Sequence, residues 1–187
     1  MKDNKGLFKV METSLPGCYK IKTDVHRDNR GTFVKAFHSA SFQDYGMSDS
    51  FKEIFFSYSY KNVLRGLHFQ TPPVEQDKLV YCITGRALDV VVDIRRNSTT
   101  YGDFFLTELE ADTGDMLYIP AGMAHGFLAL TDMIMAYNVT SLHDINHDCG
   151  ILWNSVGIPW PCKEPILSER DKSFPSFDEF VSPFVNR

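Results

Sequence analysis

Cysteine is sparse and unpaired in this 187-residue chain: Cys18, Cys82, Cys149 and Cys162 form no C-x-x-C pair or other metal-knuckle spacing. Three of the four stand in strand-like or aromatic surroundings, so they read as buried free thiols rather than as disulfides or metal ligands. No apolar run approaches the ~20 residues of a spanning helix. The opening MKDNKGLFKVMETSLPG carries no apolar leader ahead of a small-residue cleavage site, and we expect a cytoplasmic chain with no membrane partner. Basic residues nowhere run beyond Arg95-Arg96, and the formal net charge is -5. That removes the electrostatic footprint of a nucleic-acid partner, while a local basic patch around a phosphate stays open. Internal repeats and low-complexity segments are also missing.

What is present is a globular composition, 43% hydrophobic and 13% aromatic, long enough for one domain with one sizeable core. We expect a single domain over residues 1–187, with a core from about 16 to 161 and a Pro-rich C-terminal extension from 162 to 187 whose Phe residues pack back on it. Short alternating or β-branched runs dominate: Tyr19 to Lys22, Phe33 to Phe37, Lys78 to Ile83, Ala87 to Ile94, Phe104 to Leu109, Met116 to Ile119, Gly126 to Leu130 and Met133 to Thr140. Turn chemistry separates them, as at Asp28-Asn29-Arg30-Gly31, Thr84-Gly85, Thr113-Gly114-Asp115 and Thr131-Asp132. This predicts an all-β sandwich or barrel, with helical character at Ser39 to Met47 and a short turn at Leu167 to Asp171.

Two segments carry chemistry. In Arg65-Gly66-Leu67-His68-Phe69-Gln70, a regular strand would turn Arg65 and His68 to opposite faces, but a glycine inside a strand often marks a bulge, which would turn both toward one cavity. In Gly114 to His125, the pattern G-x5-P-x-G-x-x-H matches the second motif of the cupin barrels and returns the chain to the barrel mouth at His125. The earlier segment offers His68-Phe69-Gln70 with no second His, so a three-His metal site cannot be assembled, and a structural metal-free role or proton transfer is expected of these histidines ahead of metal ligation.

Taken together, the chain resembles the dTDP-4-dehydrorhamnose 3,5-epimerase family, whose fold is a dimeric cupin-like jelly roll. The resemblance runs from roughly Pro16 to Asp171. It rests on D-x-R-G-x-F at Asp28 to Phe33, S-x-S-x-x-x-V-L-R-G-L-H-F-Q at Ser57 to Gln70, K-L-V at Lys78 to Val80, D-V-x-V-D-x-R at Asp89 to Arg95, P-x-G-x-A-H-G-F at Pro120 to Phe127, and I-x-W-P-x-x-x-P-x-L-S-x-x-D at Ile158 to Asp171. It implies cofactor-independent epimerisation of a nucleotide-linked 4-keto-6-deoxy sugar at C3, C5 or both, in polysaccharide biosynthesis, by a homodimer. The 4-keto group acidifies the neighbouring C–H bonds, so the reaction needs a base, an enolate stabiliser and an acid on the opposite face. By resemblance His68 is the base, Asp171 its orienting partner, Lys78 the cation beside the O4 oxyanion and Tyr137 the acid. His125 then lies near the sugar, Arg65 and Arg30 hold the pyrophosphate, and Phe33 and Gln70 complete the substrate positions.

Each residue taken alone has a plainer reading: Lys78 as a solvated strand-edge charge, Tyr137 as a core aromatic, Arg30 as a turn residue, Asp171 as a helix cap. A two-residue Thr131-Asp132 hairpin would pair His125 with Asn138 and turn Tyr137 away, whereas a loop one residue longer would align the faces. Departures from the family pattern touch the nucleotide and the sugar wall. Lys35 stands where the rhamnose-pathway enzymes usually carry Glu, and Glu53-Ile54-Phe55-Phe56 replaces their Q-D-N-H run. A Glu53 carboxylate would accept the N1–H and N2–H2 donors of guanine, and Lys35 suits a phosphate or purine acceptor, so a GDP-linked sugar is favoured over a dTDP-linked one, with a capsule heptose as one candidate. Asn138 to His143 lacks the family's following tyrosines, which leaves restriction to C3 open. A metal-dependent cupin isomerase or dioxygenase and a non-catalytic nucleotide-sugar-binding protein are the competing readings.

Overall fold

The computed structural model describes residues 7–185. Its strands are β1 (Phe8–Glu12), β2 (Tyr19–Thr23), β3 (Val25–Asp28), β4 (Gly31–Val34), β5 (Glu53–Ser59), β6 (Leu64–Gln70), β7 (Lys78–Thr84), β8 (Arg86–Asp93), β9 (Phe104–Glu110), β10 (Asp115–Ile119), β11 (Met123–Ala129), β12 (Met133–Val139) and β13 (Asp148–Gly150). Two short helices, α1 (Ser39–Gln43) and α2 (Glu169–Lys172), lie at the periphery. One sheet has the order β1-β2-β10-β7-β12-β5 and the other β13-β6-β11-β8-β9, with every pairing antiparallel. They face each other as a jelly-roll barrel.

Period-2 alternation decides what lies inside. On β7, Val80 and Cys82 join the interior cluster with Val91, Leu117, Phe127 and Met135, while Leu79 packs on the outer side with Phe42, Met47 and Tyr118. On the other sheet Leu67, Phe69, Val90 and Val92 point outward, and the C-terminal extension covers them with Phe177, Phe180 and Phe184. At about 1.5–3 kcal/mol per fully buried large apolar side chain, this covering ties the last stretch of chain to the barrel, as its Phe content implies.

The expected helix over Ser39 to Met47 is regular only through Gln43, because Asp44 to Gly46 form a turn that drops Met47 under Tyr118. The larger correction concerns β11 and β12. They do not form a hairpin in either register. β11 pairs with β6 and β8, β12 pairs with β5 and β7, and the three residues Leu130 to Asp132 carry the chain from one sheet to the other. Both strands are central, so each already has two hydrogen-bonded neighbours and no edge left for the other. The connecting loop bonds elsewhere: Thr131 Oγ1 accepts from the Arg86 amide and Asp132 Oδ1 from that of Lys61.

Candidate active site

The bulge expected at Gly66 is present. His68 lies opposite His125 and Arg65 opposite Phe127, so three steps along β6 match two along β11. Gly66 sits at φ +130°, and a Cβ there would lie 2.6 Å from the Gly126 Cα, so the strands approach as only two glycines allow. The extra residue turns Arg65 to the side of His68, and both line one interior cavity of about 360 Å3. Lys78, Gln70, His125 and Tyr137 line it as well.

His68 and Asp171 meet although 103 positions separate them. Asp171 lies on α2, capped by Ser168, and its Oδ1 is 2.8 Å from His68 Nε2 while its Oδ2 accepts from the Gly66 amide at 3.3 Å. Burial acts to raise the Asp171 carboxyl, but the hydrogen bond and charge of His68, with the Gly66 and Ser168 donors, outweigh it and hold the group below the usual carboxylate range. A carboxylate on Nε2 favours the tautomer with its proton on that nitrogen, which leaves Nδ1 of His68 without that partner.

Lys78 enters from the facing sheet and is not a solvated edge charge. It is buried, its Nζ donates to the His68 carbonyl at 3.1 Å, and burial pulls its pKa down to about 8 against the opposing pull of Asp148 and Asp89. Tyr137 projects from β12, stacks on Phe55 of β5 at 4.8 Å and meets the His125 ring edge-on at 6.2 Å. Burial raises its phenol, so it keeps its proton across the ordinary pH range. His68 therefore stands on one sheet and the protonated phenol of Tyr137 on the other.

His125 is held by a residue the sequence reading gave no role. Asp89 of β8 places both carboxylate oxygens within 3.0 Å of His125 Nε2, and both side chains are buried. Burial raises the Asp89 carboxyl, with His125 and Lys78 pulling it back. Its signal was a lone acid on the inward register of Ala87-Leu88-Asp89-Val90-Val91. Gln70 works on the frame: its amide donates to the Val74 and Leu142 carbonyls and accepts from the Asp144 amide at 2.7 Å, pinning the loop that brings His143 to the cavity. Glu53 lines the cavity and its Oε2 accepts from the His143 amide at 2.9 Å. Asp148 and Arg170, also unassigned from sequence, complete that wall.

Arg30, Phe33 and Lys35 do not line this chain's cavity. Arg30 and Phe33 sit on the β3–β4 hairpin, which among the described residues pairs with no other strand, and Lys35 just follows it. Arg30 is 85% exposed in its side chain and forks onto Asp28, and Phe33 is 61% exposed. Among the described residues no three His, Cys, Asp or Glu side chains are placed to hold a metal ion.

The family model described as dTDP-4-dehydrorhamnose 3,5-epimerase matches residues 12–179. The dTDP-4-dehydrorhamnose 3,5-epimerase of Methanothermobacter thermautotrophicus is 41% identical over 173 residues, covering 89% of this chain and 93% of that one. The Legionella pneumophila dTDP-6-deoxy-D-glucose-3,5-epimerase, solved with dTDP-4-keto-L-rhamnose, superposes with a TM-score of 0.90 at 30% identity, covering 96% of this chain and 98% of that one. ChmJ of Streptomyces bikiniensis, a 3'-monoepimerase solved with dTDP-quinovose, gives 0.83 at 31% identity over 88% and 85%. Matched along most of its length in both sequence and fold, the chain belongs to the dTDP-4-dehydrorhamnose 3,5-epimerase family and is a nucleotide-sugar epimerase.

Proposed function

We propose that this protein epimerises a nucleotide-linked 4-keto-6-deoxy sugar by proton removal on one face and return on the other, in the synthesis of a cytoplasmic precursor of surface polysaccharide. The carrying observation is a histidine base backed by a buried carboxylate on one sheet, facing a protonated phenol on the other. His68 Nδ1 takes the proton from the carbon beside the keto group, and the electron pair moves to O4 as the enolate. The Lys78 ammonium stabilises that oxygen in a cavity where a fixed charge is worth more than in water. Tyr137 delivers its proton to the opposite face and recovers one from solvent, and His68 releases to solvent the proton it took. No electron leaves the sugar, so no redox cofactor enters the balance.

The nucleotide in this reading is GDP, although the relatives above carry names that specify dTDP sugars. Its support is Glu53, a carboxylate acceptor on the cavity wall suited to the guanine N1–H and N2–H2 edge. The changed wall after Tyr137, where Val139 and His143 line the cavity while Leu142 lies outside it and is 62% exposed, supports restriction to C3, an outcome the same fold hosts in ChmJ. A homodimer accounts for the outer face of the edge strand β5, where Ile54 and Phe56 are 71% and 68% exposed, and for the unpartnered β3–β4 hairpin with Arg30, Phe33 and Lys35 nearby.

The test is deuterium incorporation at C3 and C5 in D2O with GDP- and dTDP-linked 4-keto-6-deoxy sugars, with His68→Ala as control. Exchange at C3 with the GDP sugar that the control abolishes is expected. Exchange with the dTDP sugar alone overturns the nucleotide, and exchange with neither overturns the chemistry. His143→Tyr should change the C3:C5 ratio, and Phe56→Glu should convert the dimer to monomer by light scattering.

A further inference from the structure

The wall of the cavity next to α2 holds a charged cluster that the reaction above does not use. Asp148, the first residue of β13, lies beside Gln70 of β6 with its side chain mostly buried. Its Oδ2 accepts from Arg170 Nη2 at 2.8 Å, its backbone carbonyl accepts from the same nitrogen at 3.2 Å, and His143 Nε2 stands 3.4 Å from Oδ2. Arg170 immediately precedes Asp171. Its guanidinium lies 5.2 Å over the Phe174 ring, which meets His68 edge-on at 5.6 Å.

The remaining attachments of α2 make this contact informative. Glu169 and Lys172 pair with each other across one turn, so among the described residues its side chains form polar bonds to the sheet only through Arg170 and Asp171. A four-residue helix has little stability of its own and takes its position from what holds it. Backbone bonds between Ile166 and both Asn62 and Leu64 hold the chain just before α2, the Gly66 amide bonds Asp171 directly, and the charged anchor of the helix itself is Asp148.

We propose that Asp148 is a positioning residue for the epimerisation: through the Arg170 fork it fixes α2, and with it Asp171, against the His68 base, while its carboxylate faces the Lys78 ammonium. The inference rests on the proposed function for its kinetic readout but not for its structural one. The groups facing Asp148 are Arg170 from α2, His143 from the preceding loop and Lys78 from β7. Lys78 also feels Asp89 of β8, so removing the Asp148 charge leaves it one supporting carboxylate instead of two.

The experiment compares Asp148→Asn and Arg170→Gln with the wild-type protein in two measurements. In the substrate-free protein, the downfield proton of the His68–Asp171 hydrogen bond is followed by NMR. Under turnover, the pH profile of kcat/KM is recorded through the basic limb expected from Lys78, whose pKa burial pulls down to about 8. Both variants should broaden or abolish the NMR signal and lower kcat on the order of tenfold to a hundredfold, with KM little changed, as small misplacements of reacting groups do. Only Asp148→Asn should also move the basic limb to lower pH, and Asp148→Glu should restore part of both. A sharp signal in Arg170→Gln, or a KM effect with kcat intact, overturns the positioning role. If Asp148→Asn fails to fold, the signal in Arg170→Gln still decides, and absence of turnover in the wild type condemns the proposed function rather than the tether.

Discussion

Replacing Lys78 by Met should make the protein more stable at neutral pH while removing its activity. The residue is only 7% exposed, and burial lowers the ammonium pKa from 10.5 to about 8. Below pH 8 the group is charged in the folded and the unfolded chain alike, and the folded state carries the whole cost of burying it. Between about 8 and 10.5 the unfolded chain binds a proton that the folded one has lost, so wild-type stability rises with pH through that window. The gap of about 2.5 pH units corresponds to about 3.4 kcal/mol at ~1.36 kcal/mol per unit. Losing the bond to the His68 carbonyl returns about 1 kcal/mol, for a net gain of about 2 kcal/mol at pH 7. For a domain of this size that is a rise in Tm of about 4–8 °C. Urea unfolding of both proteins at pH 7 and pH 10 measures it, and by pH 10 the electrostatic gain should fall to about 1 kcal/mol or less. A Met variant less stable at pH 7, or a difference that does not change with pH, would refute the reasoning.

Gly66→Ala must place a Cβ against Gly126 at φ +130°, and should cost about 3 kcal/mol or more together with catalysis, whereas Gly31→Ala, at φ +127° with nothing within 4 Å, should cost only the backbone strain of about 1–2 kcal/mol; denaturant midpoints separate the two. Asp171→Asn presents His68 with a group that favours the wrong tautomer, and kcat should fall on the order of a hundredfold to ten-thousandfold with KM little altered in steady-state assays. Tyr137→Phe keeps the base but not the acid, so solvent deuterium should still wash into the recovered substrate while epimer formation drops; equal loss of both would place proton abstraction on Tyr137.

Much of the barrel was legible because its cue is local. Alternation marks β7, β8 and β10 without reference to anything distant, and Gly66 announces a bulge by being a glycine between Arg65 and Leu67 in a strand. The partners of β11 and β12 were not legible, since a short polar connection between two apolar strands has the composition of a hairpin whether it turns back or crosses between sheets. Only the occupancy of both edges by other strands decides. Asp89 was visible as a residue of a motif yet silent as a partner of His125, because the pairing depends on β8 lying beside β11. Arg170 and Asp148 lie 22 positions apart and meet only after the C-terminal extension folds back onto the barrel.

These differences follow a division in the site itself. His68, Lys78, His125, Tyr137 and Asp89 project inward from strands that are paired on both sides, where one register slip would turn the whole set out of the cavity. Glu53 stands instead on the edge strand β5, His143 on a loop and Lys35 after a hairpin outside both large sheets, positions that can change side chain without disturbing a ladder. In the proposed reading, proton chemistry placed on the first group is constrained by the fold, and nucleotide choice placed on the second is not. A family match that fixes the reaction can therefore leave the nucleotide open, and Glu53 and Lys35 are the residues to exchange, Glu53→Gln and Lys35→Glu, when asking whether preference moves from GDP toward dTDP.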